Sequence, residues 1–281
     1  MASRTRQRRI TATGLYLFYG IIILFFLFPL LWVLSLSFKT MPELFYVPPK
    51  ILPEHFSFEN YTQVLWRNNI LRYLTNSFKL EVVTIIGTLL VIIPATFALS
   101  RFRFKGQHSI QFGILTFQMI SPLVIAIPLY RYFSKMHLLN NFWALAFVYI
   151  ALNIPFSCWS LKGYMDTIPL SIDEAGTIDG CTKMQVLVKL LLPLIGPGIV
   201  SVIILIFVRA WSQFIIPYIL LSDQKLFPIS VGLVNLQSTG ETISTHFLAA
   251  GCVIGILPTL LVFIALQRFI VSALTAGAVK E

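Results

Sequence analysis

Residues 14–38 contain no Asp, Glu, Lys or Arg, and the run ends only at Lys39. About 20 apolar residues suffice to cross a bilayer as an α-helix. Five further apolar runs follow, at 80–99, 110–130, 142–161, 198–221 and 247–269. The expected fold class is therefore an all-α integral membrane protein with six transmembrane helices. Only 11% of the residues are charged and 57% are hydrophobic, against about 25% charged in a soluble domain. A soluble globular enzyme is thereby excluded. The net charge of +10 sits in short clusters beside the apolar runs. That placement suits membrane flanks rather than a phosphate-tracking groove, so no nucleic-acid partner is expected.

Arg4, Arg6, Arg8 and Arg9 precede the first run like the start of a signal peptide. The run is too long for one, and no A-x-A cleavage signal follows, so it reads as a retained span after a basic tail, 1–13. Placing that tail inside puts Arg4, Arg6, Arg8, Arg9, Arg101, Arg103, Lys105, Lys162, Lys183, Lys189, Arg268 and Lys280 in the cytoplasm. It leaves Lys39, Lys50, Arg67, Arg72, Arg131, Lys135 and Lys225 outside. The excess of Lys and Arg inside follows the orientation rule for membrane proteins. Both termini are then cytoplasmic, with a second tail at 270–281. The segments 39–79 and 222–246 lie outside, and FENYTQVLW in the first has the pattern of a short amphipathic helix. Pro29, Pro94, Pro122, Pro128, Pro155, Pro217 and Pro258 all fall within the expected spans. Proline removes a backbone donor and bends a helix. Bent helices suit a moving pathway, although proline is also ordinarily more frequent in membrane helices. Cys158, Cys181 and Cys252 lie in or beside apolar runs and read as small hydrophobic residues. Neither a disulfide frame nor a metal site is indicated.

The cytoplasmic loop 162–192 is longer than a plain connection and gathers Asp166, Asp173, Glu174 and Asp179 out of eleven acids. Ser171-x-x-Glu174 has the form of a capping box, with Asp173 and Glu174 in the first turn, where the helix dipole favours acids. Ala175 and Ile178 give that helix an apolar side, and Asp179-Gly180 is a stop-and-turn pair. A second box, Thr182-x-x-Gln185, opens a helix with Met184, Leu187, Val188 and Leu191 at helical spacing, ended by Pro193 and Pro197. Two readings stand for this helical hairpin: a docking surface for another protein, or an amphipathic pair lying on the headgroups.

The stretch EAGTIDGCTKMQVLVKLLLP resembles the EAA loop of ABC importer permeases. Glu174, Ala175, Asp179, Gly180, Leu192 and Pro193 match, while Gly176 and Cys181 stand where alanines are usual. NSFKLEVVTIIGTLLVIIPATFALSRFRFKG is similar to the family's second span and its exit, and LKGYMDTIPLSIDEAG to the lead into the loop. AWSQFIIPYILL is similar to its Trp-Asn-x-Phe span, with Ser212 in place of Asn. QRFIVSALTAGAVKE resembles the C-terminal tail of carbohydrate-type permeases similar to the smaller permease subunit of the maltose importer.

The resemblance implies a type I ABC importer transmembrane fold, with a core over 72–268. It implies a second permease subunit, making a heterodimer, two cytoplasmic ATPase subunits and an extracytoplasmic substrate-binding protein, in the cytoplasmic membrane of a prokaryote. The chain has no GxxxxGK[ST] phosphate loop, so it is expected to be non-catalytic and to bind no cofactor, with ATP and Mg2+ held by the partner ATPases. Asp173, Glu174, Ala175, Gly176, Asp179 and Gly180 would couple the chain to those ATPases, Glu174 through a basic group and Ala175 and Gly176 by close packing. The tail 273–281 resembles one that enters the ATPase interface.

Asn153, Arg209, Trp211, Ser212 and Gln213 are polar or aromatic at membrane depth. They read either as sugar contacts or as helix–helix hydrogen bonds. In the maltose importer the sugar contacts belong to the other permease subunit. Arg209 departs from the family pattern and is functional by default at that depth, snorkels, or pairs with the partner subunit. Gln237, Ser238, Thr239 and Gly240 are candidates for a loop tip entering the binding protein. Lys79 and Glu81 are expected to reach the outer headgroups. The imported solute is expected to be a sugar or oligosaccharide, with a polyol or glycerol phosphate as the alternative. An ion-coupled carrier would want intramembrane carboxylates, and the spans offer only Glu81.

Overall fold

The computed structural model of the chain describes residues 2–67, 69–238 and 245–278. Among the described residues every regular element is helical. The chain divides into two compact units, Met1–Ile70 with Leu233–Ile254 and Leu71–Gly232 with Gly255–Glu281.

The first unit opens with α1, Ala2–Phe38. Its side chains from Leu15 to Leu31 are exposed almost throughout, as in a helix whose surroundings are as apolar as itself. The chain then folds back on the end of α1. Asn60 Nδ2, on α2 (Glu59–Arg67), donates to the carbonyls of Ser37 and Lys39 at 2.9 Å each. Ser37 Oγ and Tyr61 Oη lie 2.6 Å apart, and Phe38 meets the rings of Phe56 and Phe58 edge-on. The segment FENYTQVLW thus supplies α2, and its asparagine ties down two carbonyls that α1 leaves open at its end.

The second unit contains α3 (Ile70–Arg101), α4 (Gln107–Gln118), α5 (Pro122–Lys135) and α6 (Phe142–Met165), then α7 (Ser171–Ile178) and α8 (Lys183–Leu194). It continues with α9 (Gly196–Trp211) and α10 (Ile215–Leu220). The last two helices are α11 (Ile229–Ser238) and α12 (Thr245–Ala278).

The segment Gly14–Phe38 and helices α3 and α6 are long and apolar enough to cross a bilayer, as is Thr245–Gln267 of α12. Two further pairs pass the same test only as bent units: α4 with α5 at 91°, and α8 with α9 at 76°.

The expected single span over 110–130 is therefore two helices. Ser121 is extended at ψ 135° before Pro122 and caps Leu123 N–H, since a residue before proline avoids the helical region. The expected span over 198–221 is also interrupted, between Trp211 and Ile215. Pro217 has no N–H to give the Gln213 carbonyl one turn earlier. That carbonyl instead accepts from Ser230 Oγ at 2.8 Å and Tyr149 Oη at 3.3 Å. Helix α3 begins ten residues before the expected 80. Its Asn76 donates to the carbonyls of Lys225 and Phe227 at 2.8 and 3.1 Å, and Ser77 Oγ accepts the Ile229 N–H at 2.8 Å. The Asn-Ser pair holds the stretch before α11. Glu81 consequently lies inside the helix and is buried, with Oε1 lacking a hydrogen-bond partner among the described residues; it does not reach the headgroups.

One core cluster joins Ile92, Phe97 and Leu99 of α3, Cys158, Leu161 and Met165 of α6, and Val202 and Ile206 of α9 to Val186, Leu187 and Leu191 of α8. Helix α9 crosses α6 closely at Gly198. A Cβ there would lie 2.6 Å from Tyr164 Cγ and 3.1 Å from Tyr164 Cβ. These are the root of the side chain, so the helices themselves would have to part. Gly198→Val is expected to lower the thermal midpoint of the purified chain, costing about 1–3 kcal/mol of overpacking. Gly196→Ala, into open space, is expected to be neutral in the same melt. Equal midpoints for the two variants would show that α6 and α9 do not depend on this contact.

Candidate functional site

Two features of the second unit carry candidate residues: the α7–α8 hairpin, and a cavity beside α6 and α9.

Helix α7 starts at Ser171 itself, with Leu170 in the cap position and no side-chain cap. The expected Ser171-x-x-Glu174 box does not form. Leu170 is already helical, at φ −63° and ψ −24°, which places Ser171 one step inside the helix. The Thr182–Gln185 box does form. Thr182 N–H donates to Gln185 Oε1 at 2.8 Å, and Gln185 N–H donates to Thr182 Oγ1 at 3.3 Å. Between them Gly180 turns the chain at φ +81°. The Gly180 and Cys181 N–H groups donate back to Thr177 and Gly176 carbonyls at 3.1 and 2.9 Å, the paired bonds of a Schellman stop.

The packed face differs from the expected one. Ile178 is 86% exposed, Ala175 is exposed, and Gly176 is the buried residue of α7. A Cβ on Gly176 would meet Leu190 Cδ1 at 2.4 Å and Val186 Cγ2 at 3.3 Å. Gly176 therefore packs inside the hairpin, against its own second arm. On that arm Val186, Leu187 and Leu191 are buried, while Met184 and Val188 are exposed. Residues Val186–Leu191 are π-helical. The wider turn rotates the buried stripe away from the 3.6-residue spacing.

The ends of α3 and α6 anchor the hairpin and the stretch that leads into it. Arg101 at the end of α3 sets Nε 3.1 Å from Asp173 Oδ2 in the first turn of α7, both side chains largely buried. The contact is an ion pair rather than an aligned hydrogen bond. Arg101 Nη2 also donates to the Ile168 carbonyl at 3.0 Å. Next to it Ser100 Oγ donates to Asp166 Oδ1 at 2.6 Å, and Asp166 pairs with Lys162 at 2.6 Å. Glu174, Ala175, Asp179 and Gly180 are left on the outer face, and Asp173 is turned inward as a brace.

The cavity, of about 370 Å³, lies where α4 breaks into α5. Asn153, Arg209 and Gln213 line it, together with Gln118, Tyr149 and Pro155. Arg209 lies with its guanidinium carbon 4.8 Å from the centre of the Phe156 ring. Asn153 Nδ2 donates to the Tyr149 carbonyl at 2.9 Å. Trp211 and Ser212 are not among the lining residues. Trp211 Nε1 donates to the Gly255 carbonyl at 3.0 Å, and its ring stacks on Phe207. Ser212 Oγ bonds back to the Val208 carbonyl at 2.8 Å. The structure brings three of the five pathway candidates together and gives the other two helix-packing roles. Gln118, Tyr149 and Phe156 were not singled out in the sequence. Only the break at Pro122 hinted that Gln118 ends a helix at membrane depth.

Gln237 and Ser238 fall in the last turn of α11 by backbone, and Thr239 and Gly240 lie outside the described residues. The tail residues 273–278 continue α12, and 279–281 lie outside the described residues.

Residues 87–276 match the family described as "Binding-protein-dependent transport system inner membrane component". The chain is 31% identical to the inner membrane ABC transporter permease protein YcjP of Escherichia coli, over 98% of this chain and 99% of that protein. It is 31% identical to the galactooligosaccharides transport system permease protein GanQ of Bacillus subtilis, over 100% and 99%. Its fold matches a chain in the crystal structure of a bacterial ABC transporter involved in the import of the acidic polysaccharide alginate. That match has a TM-score of 0.79 at 22% identity and covers 94% of this chain and 97% of that one.

Proposed function

We propose that this chain, which belongs to the family of binding-protein-dependent transport system inner membrane components, is one of two permease subunits of a carbohydrate importer driven by separate ATPases. Relatives that carry sugar names along their full length, such as the galactooligosaccharide permease, support the substrate class. A polyol or glycerol phosphate carried by the same machinery is the second reading. In this proposal the bent pair α4–α5 counts as one crossing and α9 with α10 as another, α8 staying in the cytoplasmic hairpin, giving six crossings with both termini in the cytoplasm. The Lys and Arg bias supports that orientation.

The observation that carries the proposal is the hairpin. It is capped at Thr182, stopped at Gly180 and braced by the Arg101–Asp173 pair. Yet it leaves an apolar group, Ile178 with Met184, standing out beside Glu174 and Asp179. A structure built this firmly around an exposed apolar tip suits a partner's cleft. The ATPases, with their ATP and Mg2+, would dock there, and an extracytoplasmic binding protein would deliver the solute to the opposite face. Movement of the hairpin would pass into α9, which leaves α8 at the Ile195 bend and runs 16 residues to the cavity, roughly 24 Å.

Ile178→Lys and Glu174→Lys are expected to reduce co-purification of the cognate ATPase at least about tenfold, an interface loss of about 1.4 kcal/mol or more. Both positions are exposed, so the thermal midpoint of the chain alone should not move. Undiminished ATPase recovery with both changes combined would place the docking surface elsewhere.

A further inference from the structure

The cavity beside α6 and α9 holds one permanent positive charge, that of Arg209, and no described acidic residue answers it. The three ion pairs among the described residues, Lys50–Glu54, Arg101–Asp173 and Lys162–Asp166, all lie elsewhere. Arg209 is instead held over the Phe156 ring at 4.8 Å. A guanidinium held over an aromatic face keeps its fork of N–H donors available for a planar anion. Arg209 lies in the last turn of α9, at the break before α10. A charged side chain within a membrane segment is costly and functional by default, so one lining a cavity with no described acid beside it marks a place where negative charge is received.

The rest of the lining suits a polyhydroxylated body. Gln118, Asn153 and Gln213 contribute amides, and Asn153 Oδ1 remains an acceptor after its Nδ2 has bonded to Tyr149. Pro155 has no N–H to offer the Ala151 carbonyl, and Ala151 also lines the cavity. A volume near 370 Å³ falls in the range of small-molecule sites. Gln118 and Arg209 are both exposed on this chain, so the cavity opens on its surface rather than being sealed within it.

We propose that this cavity is an acid-sugar subsite, in which Arg209, braced on Phe156, binds the anionic group of a transported saccharide while the amides of Gln118, Asn153 and Gln213 take its hydroxyls. The inference rests on the reading of the chain as a carbohydrate importer permease and narrows its substrate class to saccharides bearing a carboxylate or a sulfonate.

The test uses the whole transporter, assembled with its partner permease, ATPases and binding protein in vesicles. It is offered digalacturonate, a 6-sulfonated disaccharide, or the neutral disaccharide obtained by reducing the carboxyls of the first. Wild-type vesicles are expected to take up at least one of the two acidic probes. Arg209→Met should lower that uptake about tenfold or more, the loss expected for a charge-assisted contact, and leave neutral-probe uptake, where present, within twofold. Arg209→Lys should retain an intermediate rate, since it keeps the charge and loses the stacked fork. Which acidic probe is lost identifies the anion. Uptake of the neutral probe alone by wild type overturns the inference while the importer reading stands. Equal loss of all probes in Arg209→Met also overturns it, by giving Arg209 a structural or partner-binding role. Failure of every saccharide to stimulate ATP hydrolysis in wild type overturns the importer reading itself.

Discussion

Gly180→Pro is expected to cut ATP-driven uptake about 100-fold while the transmembrane helices still assemble. Three requirements of the turn fail together. Proline fixes φ near −65°, whereas Gly180 sits at +81°. Proline also deletes the N–H that donates to the Thr177 carbonyl at 3.1 Å. Finally it disfavours the helical region at the preceding residue, and Asp179 stands at φ −73° and ψ 6° as the cap of α7. A proline misplaced in this way costs about 3 kcal/mol or more, which corresponds to about 100-fold in an equilibrium constant. A Cβ at Gly180 would meet nothing within 4 Å, so the requirement is conformational and not steric. Gly180→Asn, which tolerates the left-handed region, is therefore expected to keep most of the activity. Uptake in vesicles and recovery of the bound ATPase measure both variants. Wild-type uptake by the proline variant would show that the hairpin turn plays no part in coupling.

Local chemistry in the sequence was legible where one short segment decides the outcome. Thr182 and Gln185 are three residues apart and satisfy each other regardless of the rest of the chain. The Asp179-Gly180 stop needs only its own backbone. The apolar runs announced membrane helices because length and lack of charge are one-dimensional properties. What was not legible depends on packing between distant segments. Arg101 and Asp173 are 72 positions apart, and in the sequence Arg101 reads only as one of several flank charges. The inward face of α7 falls on Gly176 because Leu190 and Val186 close over it, where an apolar count favours Ala175 and Ile178. The stripe on α8 was misplaced because a π-helical stretch breaks the 3.6-residue period that any such count assumes. Helix α3 starts early because Asn76 and Ser77 find partners near residue 225. The cavity residues likewise come from α4, α5, α6, α9 and the break after α9, and only their convergence distinguishes Gln213 from Ser212.

Arg101→Met is expected to damage the transporter more than Asp173→Asn, although each removes one side of the same ion pair. Arg101 serves two partners on the far side of the loop, Asp173 at 3.1 Å and the Ile168 carbonyl at 3.0 Å, and Asp173 has one ionic partner. Losing the carboxylate leaves the guanidinium with Ile168 and with the carbonyl end of α3, where the helix dipole favours a cation. Losing the guanidinium strands both Asp173 and Ile168. Breaking a buried pair from one side typically costs about 3–5 kcal/mol. Asp173 sits in the first turn of α7, where the dipole offsets part of that cost, so the lower end applies. That free energy is spent on the docking of α7 against α3, because the core cluster of α3, α6, α8 and α9 does not include either residue. The expected result is faster hydrogen exchange confined to 166–180 and uptake reduced by about 100-fold, with little change in exchange along α6 and α9. Arg101→Met combined with Asp173→Leu removes both charges and should restore much of the stability, giving a coupling energy opposite in sign to the single losses in a double-mutant cycle. Arg101→Lys should fall between, since an ammonium cannot hold a carboxylate and a carbonyl in the fixed fork of a guanidinium. If Arg101→Met exchanges and transports like the unaltered chain, the pair does not brace the hairpin, and force applied at Ile178 must reach α9 through the α8 core alone.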